Sequence, residues 1–464
     1  MYPMAEEFGE WYRRMLSENL LVDDRYEVKG MLVYRGNGMR IMREMVRHLE
    51  RLQEEDGHEP TLFPVLIPDN LLMKEAEHIA GFEDQVYWVT HAGKNPLERK
   101  LALRPTSETC MYPMFALWVR TFQDLPIKVH QTVTVYRYET KQTRPLIRSR
   151  EFYWNEGHTA FATALEAEEN VGAIRRIYTD LINGLLCLPV QVNMRPQWDK
   201  FPGAEYTMAF ETIMPDGRTL QVATIHNLGQ HFSRVFGIEF DDEKGEKHFA
   251  WQTSYGPGFG RLLAAVVSVH GDEKGMVLPP RVAPIQAVVI PIIFKDSDRA
   301  SVMEYVRALE AKLRGQCLRV AVDDSDQRPG AKFFRWEREG VPVRIEVGPR
   351  DIREGKVVVV RRDNGAKESV ESGKLDLAVM FRAIEDDMRA NAQRRFDERL
   401  FTADSLPKFR ELVGRGIVTV GWCGQDVCVK PIDEVGTMLT VTDEKASCVV
   451  CGKAGTNVRV ARTF

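Results

Sequence analysis

Apolar and polar positions change their period several times along the chain, and each change marks a different kind of structure. After Phe161 the sequence reads Thr163-Ala164-Leu165-Glu166, and Ile174, Ile177, Leu181 and Leu185 then recur at intervals of three and four. This predicts a helix opening on a capping box, with the residues before it pinned between a strand and that helix. From residue 1 to about 280, helical periods mix with apolar strands and no low-complexity linker interrupts them. Residues 276–284, MVLPPRVAP, place three prolines in nine positions. Neither a helix nor a central strand continues through such a stretch, so a domain boundary is expected there. Residues 286–294 then read as a buried strand, and Val302, Tyr305, Val306, Leu309 and Leu313 share one helical face that stops at Gly315. Apolar runs at 318–322, 343–347 and 356–360 alternate with helical patterns, which predicts a small α/β unit with a mixed sheet over 284–385. A charged segment, 385–399, leads into a third unit at 395–464, and no internal repeat is found.

Composition narrows the class. A chain of 464 residues exceeds one ordinary core. Its 44% hydrophobic and 28% charged content is that of a soluble globular protein. A net charge of -4 argues against indiscriminate coating of nucleic acid but leaves room for a local basic face. The acidic, amphipathic beginning does not read as a signal peptide, and the absence of 18 consecutive apolar residues argues against a membrane span. Four of the seven cysteines fall in the last 42 residues. Cys423 and Cys428 are separated by four residues, Cys448 and Cys451 by two. Two close thiol pairs suit a closed, structural zinc site in a reducing cytoplasm; free buried thiols are the alternative.

Candidate chemistry sits in short stretches of the first unit: LFPVLIP at 62–68, LRPTSET at 103–109, VYRYET at 135–140, FYWNEGHT at 152–159, GRTLQVATIHNLGQHF at 217–232 and YGPGFGRLL at 255–263. Each has a plain structural reading. Arg137 and Glu139 could belong to an ordinary exposed strand, and Lys141, Arg144, Arg148 and Arg150 to a solvated hairpin. The glycines before Arg261 could serve a turn, and His158 or His226 could be a satisfied core histidine.

Taken in this order and company, the stretches resemble the motifs of class II aminoacyl-tRNA synthetases, and their wording that of the prolyl-tRNA synthetase family, archaeal and eukaryotic type with a C-terminal zinc-binding domain. FPGAEYTMAF at 201–210 and LPPRVAPIQ at 278–286 extend the likeness over the whole chain. It implies a multidomain α/β protein: an antiparallel-sheet catalytic domain over 1–280, an α/β anticodon-binding domain with a mixed sheet over 284–385, and a small α+β zinc domain over 395–464. The implied activity joins L-proline to ATP as prolyl-adenylate and transfers the prolyl group to tRNA(Pro), with Mg²⁺ accompanying the nucleotide. About 100 residues separate Glu151 from Tyr255, too few for an editing domain.

Such a reaction needs a carboxylate to attack the α-phosphorus, so two anions must be held together, a task that the planar fork of arginine suits. By resemblance Arg137 and Arg261 are the catalytic pair, and ATP meets Arg137, Glu139, Arg148, Gln221, Thr224 and Arg261. Proline offers an ammonium, a carboxylate and a compact ring, for which a pocket needs an acceptor, an arginine and aromatic walls. Thr106, Glu108, Arg137, Trp154, Glu156, His158, His226 and Phe82 are the implied amino-acid contacts. Pro64 would lie in motif 1 at a homodimer interface. Two departures stand out: the segment before Arg261 lacks the family's usual hydroxyl two residues earlier, and the chain ends on Phe464 where the family has tyrosine. In the second unit Arg328, Lys332, Phe333, Arg335, Trp336 and Arg338 could stack on and bond to unpaired bases, or form an amphipathic helix with the aromatics as core. The rival readings are a class II synthetase for another small amino acid and a catalytically silent tRNA-binding relative.

Overall fold

The computed structural model describes residues 8–74, 83–293 and 295–464. The site is carried by a sheet of seven strands: β1 (Glu59–Pro60), β2 (Ile127–Tyr136), β3 (Glu151–Phe161), β4 (Gln191–Met194), β5 (Tyr206–Ile213), β6 (Thr219–Gly229) and β7 (Trp251–Pro257). Their order across the sheet is β1-β2-β3-β7-β6-β5-β4. The antiparallel sheet expected of the first unit is present, with the short β1 pairing parallel to β2 as the exception.

One face of this sheet is sealed by the helix Phe259–His270, in which every residue but Arg261 is buried. An all-round apolar helix can only be a core helix. It packs between the sheet and the helix Gly36–Glu55, and Tyr153 of β3 meets Phe259 with ring centroids 5.6 Å apart. Trp154, Glu156 and His158 alternate with Tyr153 and therefore face the other side, where the cleft lies. The predicted capping box forms: Thr163 Oγ1 accepts from Glu166 N at 3.2 Å and Glu166 Oε2 accepts from Thr163 N at 2.9 Å. The helix Ala164–Thr179 continues into one π-helical turn, Asp180–Leu185.

The stretch 62–68 is not one continuous strand. The chain leaves the main sheet after Pro60 and resumes as Leu66–Pro68 at the edge of a three-stranded antiparallel sheet with Asn95–Leu103 and Tyr87–Ala92. Pro64 sits exposed between the two sheets. Proline cannot donate to a ladder, which accounts for the gap.

The second unit is the expected mixed sheet, ordered Val320–Val322, Ala287–Pro291, Val343–Val347, Lys356–Arg361, Lys367–Glu371, with the first two pairings parallel and the rest antiparallel. Its first strand stops at Pro291, earlier than the apolar run suggests, and Phe294 lies outside the described residues. The run 318–322 yields a strand only from Val320, because Cys317 turns the chain with φ +60°. The helix Leu377–Asp397 buries Phe381, Ile384 and Met388 in this unit and Phe396 against Ile417, Leu439 and Ala461 of the next.

The last unit is a four-stranded sheet ordered Leu400–Thr402, Ile417–Trp422, Ala454–Ala461, Thr437–Ser447. It returns to the first: Thr219 N donates to Arg462 O at 2.8 Å and Phe464 N to Thr219 O at 3.1 Å. Among the described residues no helix is long and apolar enough to cross a membrane.

Candidate active site

The face of the sheet left open is a cleft of about 570 Å³ lined by Thr106, Glu108, Arg137, Glu139, Arg148, Trp154, Glu156, His158, Gln221, Thr224, His226 and Arg261. Every sequence-predicted contact for proline and ATP is thus brought together except Phe82, which lies outside the described residues.

One end is acidic and buried. Glu108 opens the helix Glu108–Trp118 and its carboxylate accepts the hydroxyl of Thr106 in a short hydrogen bond. Glu156 Oε1 accepts from Gln131 Nε2 at 2.8 Å and from Ser107 Oγ at 2.5 Å. His158 Nε2 lies 3.0 Å from Glu156 Oε2, and its Nδ1 3.1 Å from the Tyr112 hydroxyl. Glu156 and His158 are each 1% exposed. Burial alone would push the His158 imidazole down, but the hydrogen bond to Glu156 and the charges of Glu108 and Glu156 outweigh it and raise its pKa. The indole of Trp154 walls this region, with Nε1 and the nearby Ser254 Oγ buried and lacking a protein hydrogen-bond partner. Gly256 makes room for that wall: a Cβ there would meet Asn155 O at 2.8 Å and the Trp154 ring at 3.2 Å. Of the glycines before Arg261, Gly256 therefore serves the packing of Trp154, while Gly260 lies against Leu146.

The other end is basic. Arg137 lies beyond the assigned end of β2 at Tyr136, so Arg137 and Glu139 are not both strand residues as expected; both nevertheless face the cleft. The local course is held by Arg137 N donating to Arg150 O at 2.9 Å and Tyr138 N to Gln85 O at 2.7 Å. Arg137 Nε donates to Pro105 O at 2.9 Å, and its guanidinium stands 5.3 Å from the Phe152 ring and 5.7 Å from that of Trp154. Burial lowers its pKa, while Glu108, Glu156 and Glu139 hold its charge, so Arg137 feels both ends of the cleft. Arg261 donates from Nε to Ile147 O and from Nη1 to Gln221 O, both at 3.0 Å. Burial first, then repulsion from Arg148 and Arg137, pushes its pKa down to about 10. Such a cluster of arginines favours an anion between them.

The basic loop divides its four cations. Arg148 lines the cleft, with Nη1 3.1 Å from Glu139 Oε2 and Nη2 donating to Phe464 O at 2.8 Å. Arg144 stacks on Phe464, Arg150 stacks on Tyr138, and Lys141 is exposed. Phe464 thereby reaches the cleft, its ring 3.7 Å from the Arg218 guanidinium.

A bulge places the Gln221 amide. Phe210 pairs with Ala223 but Glu211 pairs with Gln221, so Val222 is the extra residue on β6. In a regular strand Gln221 and Thr224, three apart, would face opposite sides; the bulge turns Gln221 onto the side of Thr224 and His226. Sequence reasoning missed what holds it. Arg195 Nη2 donates to Gln221 Oε1 at 2.8 Å and to Glu211 Oε1 at 2.7 Å, and Asn193 Nδ2 donates to Glu211 Oε2 at 2.5 Å. Burial raises the Glu211 carboxyl above its usual range despite Arg195. The available signal was one acid inside the apolar run of β5.

In the second unit the plain reading prevails for part of the cluster. Trp336 is buried with Nε1 donating to Asp323 Oδ2 at 2.7 Å, Lys332 is buried beside Asp323, and Phe333 packs on that core. Arg328 and Arg335 remain exposed, with Phe334 at 59% exposure as the accessible ring.

The four cysteine thiols fit the proposed metal. Their sulfurs lie within 4.8 Å of one another, with Cys423 and Cys451 3.6 Å apart. A tetrahedral zinc with Zn–S near 2.3 Å asks for sulfur separations of about 3.8 Å.

Comparison with known proteins agrees with this geometry. Residues 87–270 match the tRNA synthetase class II core domain (G, H, P, S and T), and residues 286–377 the anticodon binding domain. The proline--tRNA ligase of Methanopyrus kandleri is 47% identical, over 99% of this chain and 96% of its own. That of Methanothermobacter thermautotrophicus is 46% identical, over 96% and 94%. Among solved structures, Giardia lamblia prolyl-tRNA synthetase in complex with prolyl-adenylate superposes with a TM-score of 0.96 at 34% identity, covering 100% of this chain and 99% of that one. The Cryptosporidium parvum enzyme complexed with halofuginone and AMPPNP gives 0.93 at 33% identity, covering 99% and 98%.

Proposed function

The chain belongs to the class II prolyl-tRNA synthetases, and from that premise we propose that its cleft forms prolyl-adenylate from L-proline and MgATP and passes the prolyl group to the terminal ribose of tRNA(Pro). The observation that carries the assignment of residues is the opposed charge of a single cleft, buried carboxylates at one end and clustered arginines at the other, with Arg137 coupled to both.

Thr106, Glu108 and Glu156 accept the ring ammonium, His158 orients Glu156, and Trp154 and His226 border the ring. Trp154 Nε1 and Ser254 Oγ, which lack protein partners, supply polar contacts beside them. Arg137 binds the proline carboxylate and the α-phosphoryl oxygens together. As the carboxylate oxygen attacks the α-phosphorus and pyrophosphate leaves, the developing charge is met by Arg137 and Arg261 already in place. Glu139 accepts from the adenine amino group, and Arg148, Gln221 and Thr224 complete the nucleotide side. No side chain forms a covalent intermediate.

The distal parts follow the same reading: residues 1–280 as catalytic domain, 284–385 reading the anticodon with Phe334, Arg328 and Arg335 outward, and 395–464 held by zinc at Cys423, Cys428, Cys448 and Cys451. With four protein thiolates there is no open coordination position, so the metal is structural. Exposed Leu62, Val65 and Leu66, beside Leu117 and Trp118, form an apolar face around Pro64 that favours a homodimer. A reduced thiol cluster favours the cytoplasm.

Amino-acid-dependent ATP–pyrophosphate exchange across the twenty amino acids tests the assignment. Exchange led by proline and lost in Arg137→Ala is expected. Exchange led by another amino acid would overturn the proline pocket, and none with any amino acid would favour a silent tRNA-binding relative.

A further inference from the structure

The loop between β4 and β5 is tied to both halves of the cleft and rests, on its outer side, against the C-terminal unit. Its turn is closed by Asp199 N donating to Pro196 O at 2.9 Å, and Arg195 Nη1 lies 3.4 Å from Asp199 Oδ2 across it. On the nucleotide side Arg195 holds Gln221 and Glu211. On the amino-acid side Phe201 N donates to Thr207 Oγ1 at 2.9 Å, and that hydroxyl lies 2.8 Å from His226 Nδ1. The Phe201 ring stacks on His226 with centroids 4.5 Å apart and planes at 30°. One loop therefore sets both Gln221 and His226.

Outward, Trp198 of the same turn meets Trp422 edge to face, centroids 5.6 Å apart and planes at 76°. Trp422 directly precedes Cys423, and its Nε1 donates to Gln425 O at 3.2 Å, inside the turn that separates Cys423 from Cys428. Asp433 of the C-terminal unit is raised above the usual carboxyl range by burial and by the charge of Asp199, a second place where loop and unit face each other. Trp198 is still 59% exposed and does not line the cleft. An aromatic left this open serves the contact it makes and little of the core.

We propose that Trp198 is a positioning residue for the activation reaction: seated on Trp422, it fixes the loop that aims Gln221 at the nucleotide and His226 at the amino acid. The C-terminal unit thereby takes part in substrate binding through a brace. The inference rests on the cleft being the prolyl-adenylate site. A loop without its outer contact must be ordered by the substrates themselves, so its loss weakens the binding of both. Arg137 and Arg261 lie on other segments and keep their places, so turnover at saturation is retained.

Trp198→Ala and Trp198→Phe in the full chain test this by exchange kinetics, thermal melting and zinc content. In Trp198→Ala, KM for proline and for ATP should each rise about five- to tenfold with kcat within about twofold, as expected for losing one aromatic contact. Melting and zinc content stay at the wild-type values, and Trp198→Phe recovers most of the loss. Unchanged KM values, a rise confined to one substrate, or a fall in kcat with lowered melting would each overturn the brace. The wild type separates the two levels: no proline-dependent exchange there sinks the active-site assignment, while normal wild-type exchange with an indifferent Trp198→Ala sinks only the brace.

Discussion

At the acidic end of the cleft, proposed for the amino acid, charge is buried and already satisfied; at the basic end, proposed for the nucleotide, arginines are gathered closely enough to repel one another. Glu156 is 1% exposed yet bonded to Ser107, Gln131 and His158, and Glu108 is bonded to Thr106. Burial first, then the charges of Arg148 and Arg137, depresses the pKa of Arg261. The acidic end has met its desolvation cost in the fold, so it can discriminate: a guest that cannot donate to it leaves buried acceptors unpaired. The basic end keeps Arg148 on Glu139 and Phe464 yet still repels the charge of Arg261, so on the proposed reading it suits the nucleotide's phosphates and the charge that develops during transfer. On the proposed assignment, selection and catalysis are therefore separable along one cleft, and Arg137 joins them.

Removing that joint should do most damage. Arg137→Ala is expected to lower kcat/KM for exchange by about 10³-fold, the scale of losing a preorganised charge partner in the transition state. Arg137→Lys should recover little of it, since an ammonium cannot offer the planar fork. Next come the acids: Glu108→Gln or Glu156→Gln should raise the proline KM about 100-fold, in line with charged hydrogen bonds worth roughly 1.5–3 kcal/mol, with the ATP KM nearly unchanged. Arg261→Lys should show the mirror image, an ATP KM raised about tenfold with proline binding intact. A comparable shift of both substrates in either variant would erase the division between the ends.

His58 offers a smaller check from behind the sheet. Its Nε2 pairs with the Tyr255 hydroxyl on β7, and burial, with Lys128 and His130 nearby, lowers its pKa from 6.5 to about 3. Between those values the unfolded chain binds the extra proton, so stability is complete above pH 6.5 and is lost as pH falls toward 3. At pH 5.5 the loss from this group is about 1.4 kcal/mol. Melting followed from neutral pH down to that point should fall less steeply in His58→Gln than in the wild type.

What the sequence disclosed was local or carried by company. The helix start at Thr163 needs only its own capping box, and the paired cysteines need only their spacing. The contact residues were legible through their motifs, since single residues such as His158 are ambiguous. What escaped was set by partners distant in the chain. Arg195 reaches Glu211 and Gln221 across three strands and a bulge, and Trp422 lies over 200 positions from Trp198. Arg137 falling off its strand, and the run at 62–68 splitting between two sheets, follow from backbone partners that periodicity does not register.

The central claim, that the acidic end reads the ring ammonium, is tested most directly by competing cyclopentanecarboxylate against L-proline in the exchange reaction. The two share ring size and carboxylate, and only proline carries the amine. Inhibition at least about 100-fold weaker than proline binding, with the gap narrowed in Glu108→Gln and Glu156→Gln, is the predicted result. Cyclopentanecarboxylate binding as tightly as proline in the wild type would contradict it.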